Sequence, residues 1–544
     1  MMLARVVAVL ILGWFCSLQV AAQAYEWAIG IGGAGLDEGY CAEAAANGDL
    51  IIAGVFTSSI DVDPGPATHT LTSNGGFDIF VSRYTALGSL QWAFNIGSTT
   101  ADWVFEMTLD ADDNICIGGW INPAGTIDFD PGPGSSTSTG QTSYYAKYAP
   151  DGSLMQAFAF GGNGGATVLG IAHDDAGAIY LTGGFTGFAD FDPGPAVVQL
   201  TSNGGGDAYL AKFDAAGVFA WAVAFGNSSN MADTGNDVVI DAEGYPIITG
   251  KFSGTIDIDP GPGVVNLTDQ GGGDFFLARF DPDGNLIWAH GVGGPAADVG
   301  ECLAATEDGT VVITGTFNGA VDMDPGTAEV VLSAMNDADA FLARYNSAGS
   351  LLWAVGVPGI IPSNEGRSVA VVSADTIALS TRYSFGKYTG SGTVIWENSI
   401  FHTYDITPTI GAAVYVTGAY ETATDFDPGD GIAYLPVFGG PDVFAGRYVD
   451  GEGITAVGTA NDKSTSALWP NPWNGTGELH AALDGHGVVR YSITTASGTT
   501  IAHGYADSKA VSLSFHPGDL PTGTYVITMI GTGGLLRAPL VVLR

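Results

Sequence analysis

Positive charge is scarce in this chain: 16 lysines and arginines stand against 57 aspartates and glutamates, for a formal net charge of −41. Attraction to nucleic acid or to an anionic lipid surface is therefore excluded as a basis for binding, and divalent cations fit better as partners. Cysteine is nearly missing, with four in 544 residues. Cys16 falls in the leader. Cys41 (Gly-Tyr-Cys-Ala) and Cys302 (Gly-Glu-Cys-Leu) hold the same place in two repeats. Equivalent places in different repeats do not come within bridging distance, so Cys41, Cys116 and Cys302 read as small buried apolar side chains. No stretch beyond the leader is long and apolar enough to span a membrane, and no helical periodicity of useful length occurs. Catalytic constellations are absent too. The eight histidines (His69, His173, His290, His402, His480, His486, His503 and His516) do not recur in register. There is no His-Glu-x-x-His, no Gly-x-Ser-x-Gly and no Gly-x-x-x-x-Gly-Lys-Ser/Thr, and on these grounds the chain reads as a non-enzyme.

What is present is apolar residues and glycine. Hydrophobic residues make up 46 % and charged ones 13 %, enough for a large core, and 81 glycines suit many short strands joined by tight turns. Residues 1–24 read as an export signal. Arg5 supplies the positive start, Val6 to Phe15 the apolar run, and Ala22-Gln23-Ala24 a small-x-small cleavage site before Tyr25. The expected location is extracytoplasmic.

A repeat organises the rest. Thr255-Ile256-Asp257-Ile258-Asp259-Pro260-Gly261-Pro262-Gly263 has close copies whose Asp-x-Asp-Pro-Gly boxes begin at Asp61, Asp128, Asp190, Asp322 and Asp425. Each full unit holds four strand-like stretches; in the fourth they are expected at 237–241, 245–254, 274–281 and 285–289. One four-stranded unit per blade is the grammar of a β-propeller. A second marker, Trp-Ala or its relic, closes each unit: Trp92, Gln156, Trp221, Trp288, Trp353 and Trp396. A tryptophan at one place in most blades points to blade-to-blade packing ahead of sugar stacking. The unit from Trp353 to Trp396 lacks the box, which marks the box as an insertion between second and third strands, expected as a small hairpin. Six boxed units and one plain one give seven blades. Tyr25-Glu26-Trp27-Ala28 repeats the final-strand motif ahead of any complete unit. An open ring would expose two sheet edges, so residues 25–31 are expected to complete the seventh blade beside Phe444 to Tyr448. The boxes should lie on the same face as Asp37, Asp102, Asp233 and Asp298.

The paired carboxylates admit two roles. The pairs are Asp61 with Asp63, Asp128 with Asp130, Asp190 with Asp192, Asp257 with Asp259, Asp322 with Asp324, and Asp425 with Asp427. In each of them, side chains two apart on a strand share a face. The first role is structural, with each Asp capping a turn that proline and glycine bend. The second is a cation site, with Ca²⁺ the ion that fits and the Asp before the third strand (Asp78, Asp207, Asp274, Asp339, Asp442; Thr142 in the second unit) a further ligand. The boxes are not EF-hand loops, since Thr268 stands at the twelfth position from Asp257.

After Tyr448 the repeat stops. Residues 457–467 form a linker, and 468–544 show alternation with turn signals, as a small antiparallel β-sandwich would. Pro470-Asn471-Pro472, Leu520-Pro521-x-Gly523-x-Tyr525 and the hydrophobic end resemble the type A C-terminal sorting domain of the type IX secretion system of Bacteroidota. That resemblance implies a partnership between residues 468–544 and the secretion machinery, and release or attachment at the cell surface. Residues 25–456 resemble SBBP-type β-propeller repeats, with Phe276-Leu277-Ala278-Arg279-Phe280-Asp281-Pro282-Asp283-Gly284 the clearest copy. The reading is all-β: a seven-bladed propeller closed by its N-terminal strand, acting as an extracellular binding and interaction module for a glycan or protein. A carbohydrate-active enzyme with its site in the funnel is the alternative, and a structural surface protein the third. One unlike polar cluster in the funnel would favour the enzyme; a bland funnel would favour binding by the boxed face.

Overall fold

The computed structural model describes residues 23–450 apart from 336, 360–362, 401 and 429–431, and beyond 450 the backbone of strands between Leu468 and Val542. The expected leader (up to residue 22), the linker 457–467 and the Pro470-Asn471-Pro472 motif lie outside the described residues. The chain divides into two units, Met1–Gly453 and Ile454–Arg544.

The first unit is a seven-bladed β-propeller. Blade 4 shows the plan: Thr234–Ile240, Pro246–Phe252, Asp274–Phe280 and Leu286–Val292 pair antiparallel in that order from the channel outward. The same order holds in blades 1, 3 and 5, while blade 2 (Asp102–Phe160) and the short blade 6 (Gly366–Asn398) follow it in their own sheets. Innermost strands touch their neighbours all round the ring, blade 7 against blade 1 included. Phe-, Ile- and Leu-rich second and third strands are buried on both faces because each blade is covered by the next. The core is accordingly a set of seven apolar clusters, one at each junction between blades.

Blade 7 is completed by the N-terminal strand. Gln23–Gly33 pairs antiparallel with Asp442–Asp450, setting Trp27 opposite Arg447 and Ile31 opposite Val443. Its end then pairs with the blade 1 box hairpin, Gly32 opposite Asp61 and Gly33 opposite Ile60. Both expectations, the tally of seven and the closure, hold. The tryptophan slot of blade 7 is therefore filled by Trp27.

The tryptophans staple successive blades. Trp27 donates its indole N–H to the Ala86 carbonyl of blade 1 (3.2 Å), Trp92 to Pro150 of blade 2 (3.2 Å), Trp221 to Pro282 of blade 4 (3.2 Å) and Trp288 to Ser347 of blade 5 (2.9 Å). Trp353 reaches Gly390 and Trp396 the Asp450 carboxylate. The Asp-x-x-Gly turn of the receiving blade needs its glycine twice over. Gly284 has φ +85°, and a Cβ there would stand 3.3 Å from the Trp221 ring. A basic residue one strand inward adds a second device: in every blade the third-strand Lys or Arg (83, 147, 212, 279, 344, 387, 447) pairs with an acid. Blade 2 breaks the tryptophan row. Gln156 lies against Gly217 of blade 3, with a buried side-chain nitrogen that has no partner. Gln156→Trp should restore the staple towards Ala215 and remove the orphan, raising stability by about 1 kcal/mol in urea unfolding.

The second unit, taken by itself, contains a three-stranded sheet (Leu468–Trp469, Leu479–Ala482, Ser512–Phe515) and a four-stranded antiparallel one ordered Thr500–Ser508, Gly487–Thr495, Gly523–Gly531, Gly534–Val542. Strands thus fall on the alternating runs.

Candidate functional site

The boxes are hairpins, as their turn residues require. In blade 2, Thr126–Asp128 pairs with Thr137–Thr139, and four other blades repeat the arrangement. Asp128 Oδ1 accepts the backbone N–H groups of Asp130 (3.1 Å) and Ser136 (2.7 Å), and Asp130 Oδ1 accepts that of Gly132 (2.8 Å). The same contacts recur in the other boxes. Asp61 accepts from Asp63 and His69, and Asp63 accepts from Gly65. Asp190 accepts from Asp192 and Val198, and Asp192 from Gly194. Asp257 accepts from Asp259 and Val265, and Asp259 from Gly261. Asp322 accepts from Asp324 and Val330, and Asp324 from Gly326. Asp425 likewise accepts from Asp427 and Ala433. Hydrogen bonding to Ser136 holds the Asp128 carboxyl below its usual range.

This geometry fits the first of the two roles, the turn cap, and leaves the cation role to calcium titration. Among the described residues, no group of three or more His, Cys, Asp or Glu is placed to hold a metal ion. Asp61 and Asp63, Asp128 and Asp130, Asp190 and Asp192, Asp257 and Asp259, and Asp322 and Asp324 each stand as a pair in a hairpin of their own, and Asp425 and Asp427 in a turn closed by the Asp425–Tyr434 bridge. Oδ1 of Asp63, Asp130, Asp192, Asp259 and Asp324 accepts the glycine N–H of its own turn, as an Asx cap requires. Asp128→Ala should cost about 1 kcal/mol, as loss of a capping oxygen does, and Asp128→Asn only a few tenths. Urea unfolding measures both. Repeating it at millimolar calcium checks the cation role, because a bound ion would raise stability and make Asn as costly as Ala.

The other recurring aspartates tie down loops on the same face. Asp37, Asp102, Asp233 and Asp298 open first strands and accept N–H groups from the preceding connections, at Gly33, Ser98, Asn227 and Gly294. Box hairpins meet these connections directly: Gly161 N–H donates to the Asp190 carbonyl (2.8 Å). Asp78, Asp207, Asp274, Asp339 and Asp442, offered as cation ligands, are buried and each accepts the N–H four residues earlier; Thr142 accepts from Ala166 instead. Burial pushes Asp37 and Asp274 up to about 7, and Asp78, Asp233 and Asp298 up to about 6.

The channel is where the blades differ. Its cavity measures about 530 Å³ and is lined by innermost strands. In six blades the first strand carries a bulge, and the extra residue is Tyr40, Phe105, Asn236, Glu301, Arg367 or Tyr404. A bulge re-aims a side chain out of the pleat. The residues that follow it, again all lining the cavity, are Cys41, Glu106, Asp237, Cys302, Ser368 and Asp405. Several bind across to the next blade: Asp405 accepts the Ala42 N–H (2.7 Å), Asp237 that of Leu303 (2.7 Å), and the Cys302 sulfur that of Val369 (3.4 Å).

Burial sets the protonation of this layer. It pushes Glu301 and Asp237 up to about 7 and Glu43 to about 8, with the Asp405 charge adding to the last. Glu106 is raised well above its ordinary value by burial, and then by Asp237, Asp405 and Glu43. Near neutrality these carboxyl groups keep protons and can donate as well as accept. At the wider end, Tyr40 donates to Glu38 (2.5 Å), and its ring centre lies 5.1 Å from Tyr404 and 6.1 Å from Trp103. Glu365 accepts from Arg367 (2.5 Å) and Arg382 (2.9 Å).

Two further features belong to the channel. Cys41 and Cys302 are free thiols, as expected; Cys41 is packed in the apolar cluster between blades 1 and 2, and both border the channel cavity. The funnel holds an unlike polar cluster, Glu106, Asp237, Glu301 and Asp405, the feature that favours the enzyme alternative. The signal that could have found it is the residue after Gly39, Gly235, Gly300 and Gly366 of the first strands, where the repeats carry Tyr40, Asn236, Glu301 and Arg367 in one register.

No family model matches the sequence. A WD repeat-containing protein of Acanthamoeba polyphaga mimivirus is 22 % identical over 433 residues, covering 66 % of this chain and 31 % of the relative. The chain thus spans about a third of that relative's length. The WD40 domain of Neurospora crassa Pan2 is similar in structure, at 8 % identity and TM-score 0.40 over 76 % of this chain and 89 % of that one. A quinohemoprotein alcohol dehydrogenase of Pseudomonas putida HK5 has 12 % identity and TM-score 0.40, covering 84 % and 80 %. The propeller assignment rests on the strand order and ring closure of the chain itself.

Proposed function

We propose that the chain is an extracellular or cell-surface binding propeller whose ligand enters the channel mouth on the boxed face. Export through residues 1–24 and passage across the outer membrane by a type IX secretion machinery that reads residues 468–544 belong to the same proposal. They are supported by the leader pattern and by the Pro-Asn-Pro and Leu-Pro-x-Gly-x-Tyr resemblance. The box aspartates in this reading are turn formers that fix a rim of hairpins around the mouth.

One observation carries the reading. Boxes, tryptophan staples and third-strand ion pairs repeat from blade to blade, as parts that build a ring must. The bulged channel positions do not repeat, as parts that meet one asymmetric ligand need not. The test is a glycan and peptide array probed with the full chain. A hit that Tyr40→Ala removes and Asp128→Asn leaves intact supports the reading; hits indifferent to Tyr40 sink it.

The alternative, a carbohydrate-active enzyme, is favoured by a specific feature: Glu106, Asp237, Glu301 and Asp405 are unlike carboxyl groups sharing one cavity, and such pairs do acid–base chemistry on glycosides. Product analysis after incubation with each array hit decides it. Release of a reducing end supports the enzyme, and an unchanged ligand removes it.

A further inference from the structure

Ten lysines and arginines fall among residues 25–450. Seven occupy the third-strand place and are taken up in the blade ion pairs. The three left over are Lys251, Arg367 and Arg382. They do not scatter. Arg367 is the bulged channel residue of blade 6, Arg382 shares Glu365 with it, and both Arg367 and Lys251 act electrostatically on Glu301 across the mouth. Three cations therefore gather beside Glu38, Glu301 and Glu365 in a chain whose overall ratio is 16 to 57.

The guanidinium groups are not used up by Glu365. It binds one terminal nitrogen of each, and the buried Nε of Arg367 has no partner at all. A buried N–H without an acceptor costs free energy until something supplies one. Beside it are flat faces. The Arg367 guanidinium lies 6.0 Å from the Tyr404 ring centre, Arg382 lies 5.4 Å from that of Tyr383, and Tyr40 and Trp103 continue the aromatic run. Blade 6 is also the blade without a box, so no hairpin rises over this side of the rim.

We propose that the mouth between blades 6, 7 and 1 binds an anionic saccharide, its carboxylate or sulfate taken by Arg367 and Arg382 and a sugar face laid on Tyr40 or Tyr404. The assignment rests on the channel mouth being the binding site and names the chemistry that it takes. Arginine forks match the paired oxygens of a carboxylate or a sulfate, and aromatic faces match the apolar side of a pyranose. Against a net charge of −41, long-range attraction opposes such a ligand, so recognition depends on this local cluster.

The experiment titrates the full chain by calorimetry with three probes: an oligogalacturonate, a sulfated oligosaccharide, and the carboxyl-reduced neutral counterpart of the first. Either anionic probe should bind at least about tenfold tighter than the neutral one, a factor worth about 1.4 kcal/mol. Arg367→Gln and Arg382→Gln should each remove most of that preference. Lys251→Gln, at an exposed position and safe for folding, should reduce it less, and Asp128→Asn should leave it unchanged. Binding to only one anionic probe identifies carboxylate or sulfate as the group. Equal binding of the neutral probe, abolished by Tyr40→Ala and indifferent to the arginines, overturns the anionic assignment and leaves the mouth as the site. Binding that neither Tyr40→Ala nor the arginine variants alter overturns both, as does absence of binding to all three probes at millimolar concentration.

Discussion

Deleting residues 25–31 is expected to leave no stably folded monomer, although the segment is seven residues long. Three contributions are lost together. Apolar burial goes first: Ile31 is 1 % and Trp27 8 % exposed in the cluster joining blades 7 and 1, and truncating a residue like Trp27 alone costs about 3–5 kcal/mol. The Trp27 staple to Ala86 and the Glu26–Arg447 ion pair go with it. The third loss is topological. Phe444–Tyr448 becomes a bare edge, and Gly32 and Gly33, paired with Asp61 and Ile60 of the blade 1 box, lose the strand that continues them into blade 7. An unpaired edge seeks another chain, so the truncated protein should aggregate or pair edge to edge on size exclusion. Trp27→Ala is the graded version and should lower urea stability by about 3–5 kcal/mol while the chain stays monomeric. A peptide of residues 23–33 added in trans should restore the monomer to the truncated chain. A truncated chain that elutes as a monomer and melts with the parent would show that the ring is held without its N-terminal strand.

The closure was legible because a ring with n junctions needs n equivalent parts, and Tyr25-Glu26-Trp27-Ala28 is one part displaced to the other end of the chain. The boxes were legible for a related reason: Pro-Gly turns and Asx caps act locally and need no tertiary context. Their carboxylates read alike as turn caps and as ligands; Asp63, Asp192 and Asp324 do cap glycine N–H groups, and the calcium titration decides the second role. Strand limits were less legible. The outermost strand of blade 4 runs on to Val292, three residues past the expected Ala289, because His290 and Gly291 keep their ladder partners in Leu277 and Phe276. The channel was hidden for the opposite reason. Periodicity finds what recurs, whereas Glu301, Arg367 and Tyr404 share only a position. That position is a bulge, which breaks the two-residue alternation by which a strand's inner face is counted. Cys41, small and apolar by type, is buried as expected, and the same bulge also sets it and Cys302 at the border of the channel.

Stability should peak on the acid side, near about pH 5, and fall by several degrees of melting temperature towards about pH 8.5. The cause is the buried carboxyl groups that the ring carries at its junctions and in its channel. Asp78, Asp233 and Asp298 are raised to about 6, Asp37, Asp237, Asp274 and Glu301 to about 7, and Glu43 to about 8, in every case chiefly by burial. The folded chain holds these protons at pH values where the unfolded chain has released them. Raising the pH therefore favours unfolding; the contribution is complete below about pH 4 and is lost as the pH passes through 6 to 8. Acids shifted the other way limit the gain. Asp110, bonded to Lys147 and Asn114, and Asp308, bonded to Thr306 and Thr310, are lowered to about 2 and keep their contribution until the pH falls towards that value. The maximum lies between the two sets. Calorimetric melting at constant ionic strength from about pH 4.5 to 9 reads it. Asp442→Asn separates this cause from the general repulsion of a strongly acidic chain. The Asp37 and Asp442 carboxyl groups each carry a buried oxygen without a partner, and the Asp442 charge acts on Asp37. An amide at 442 removes that repulsion and supplies a donor. The variant should melt above the parent at pH 8.5 and close to it at pH 5, whereas repulsion spread over the whole surface would shift both pH values almost equally for a change of one charge in a net of −41.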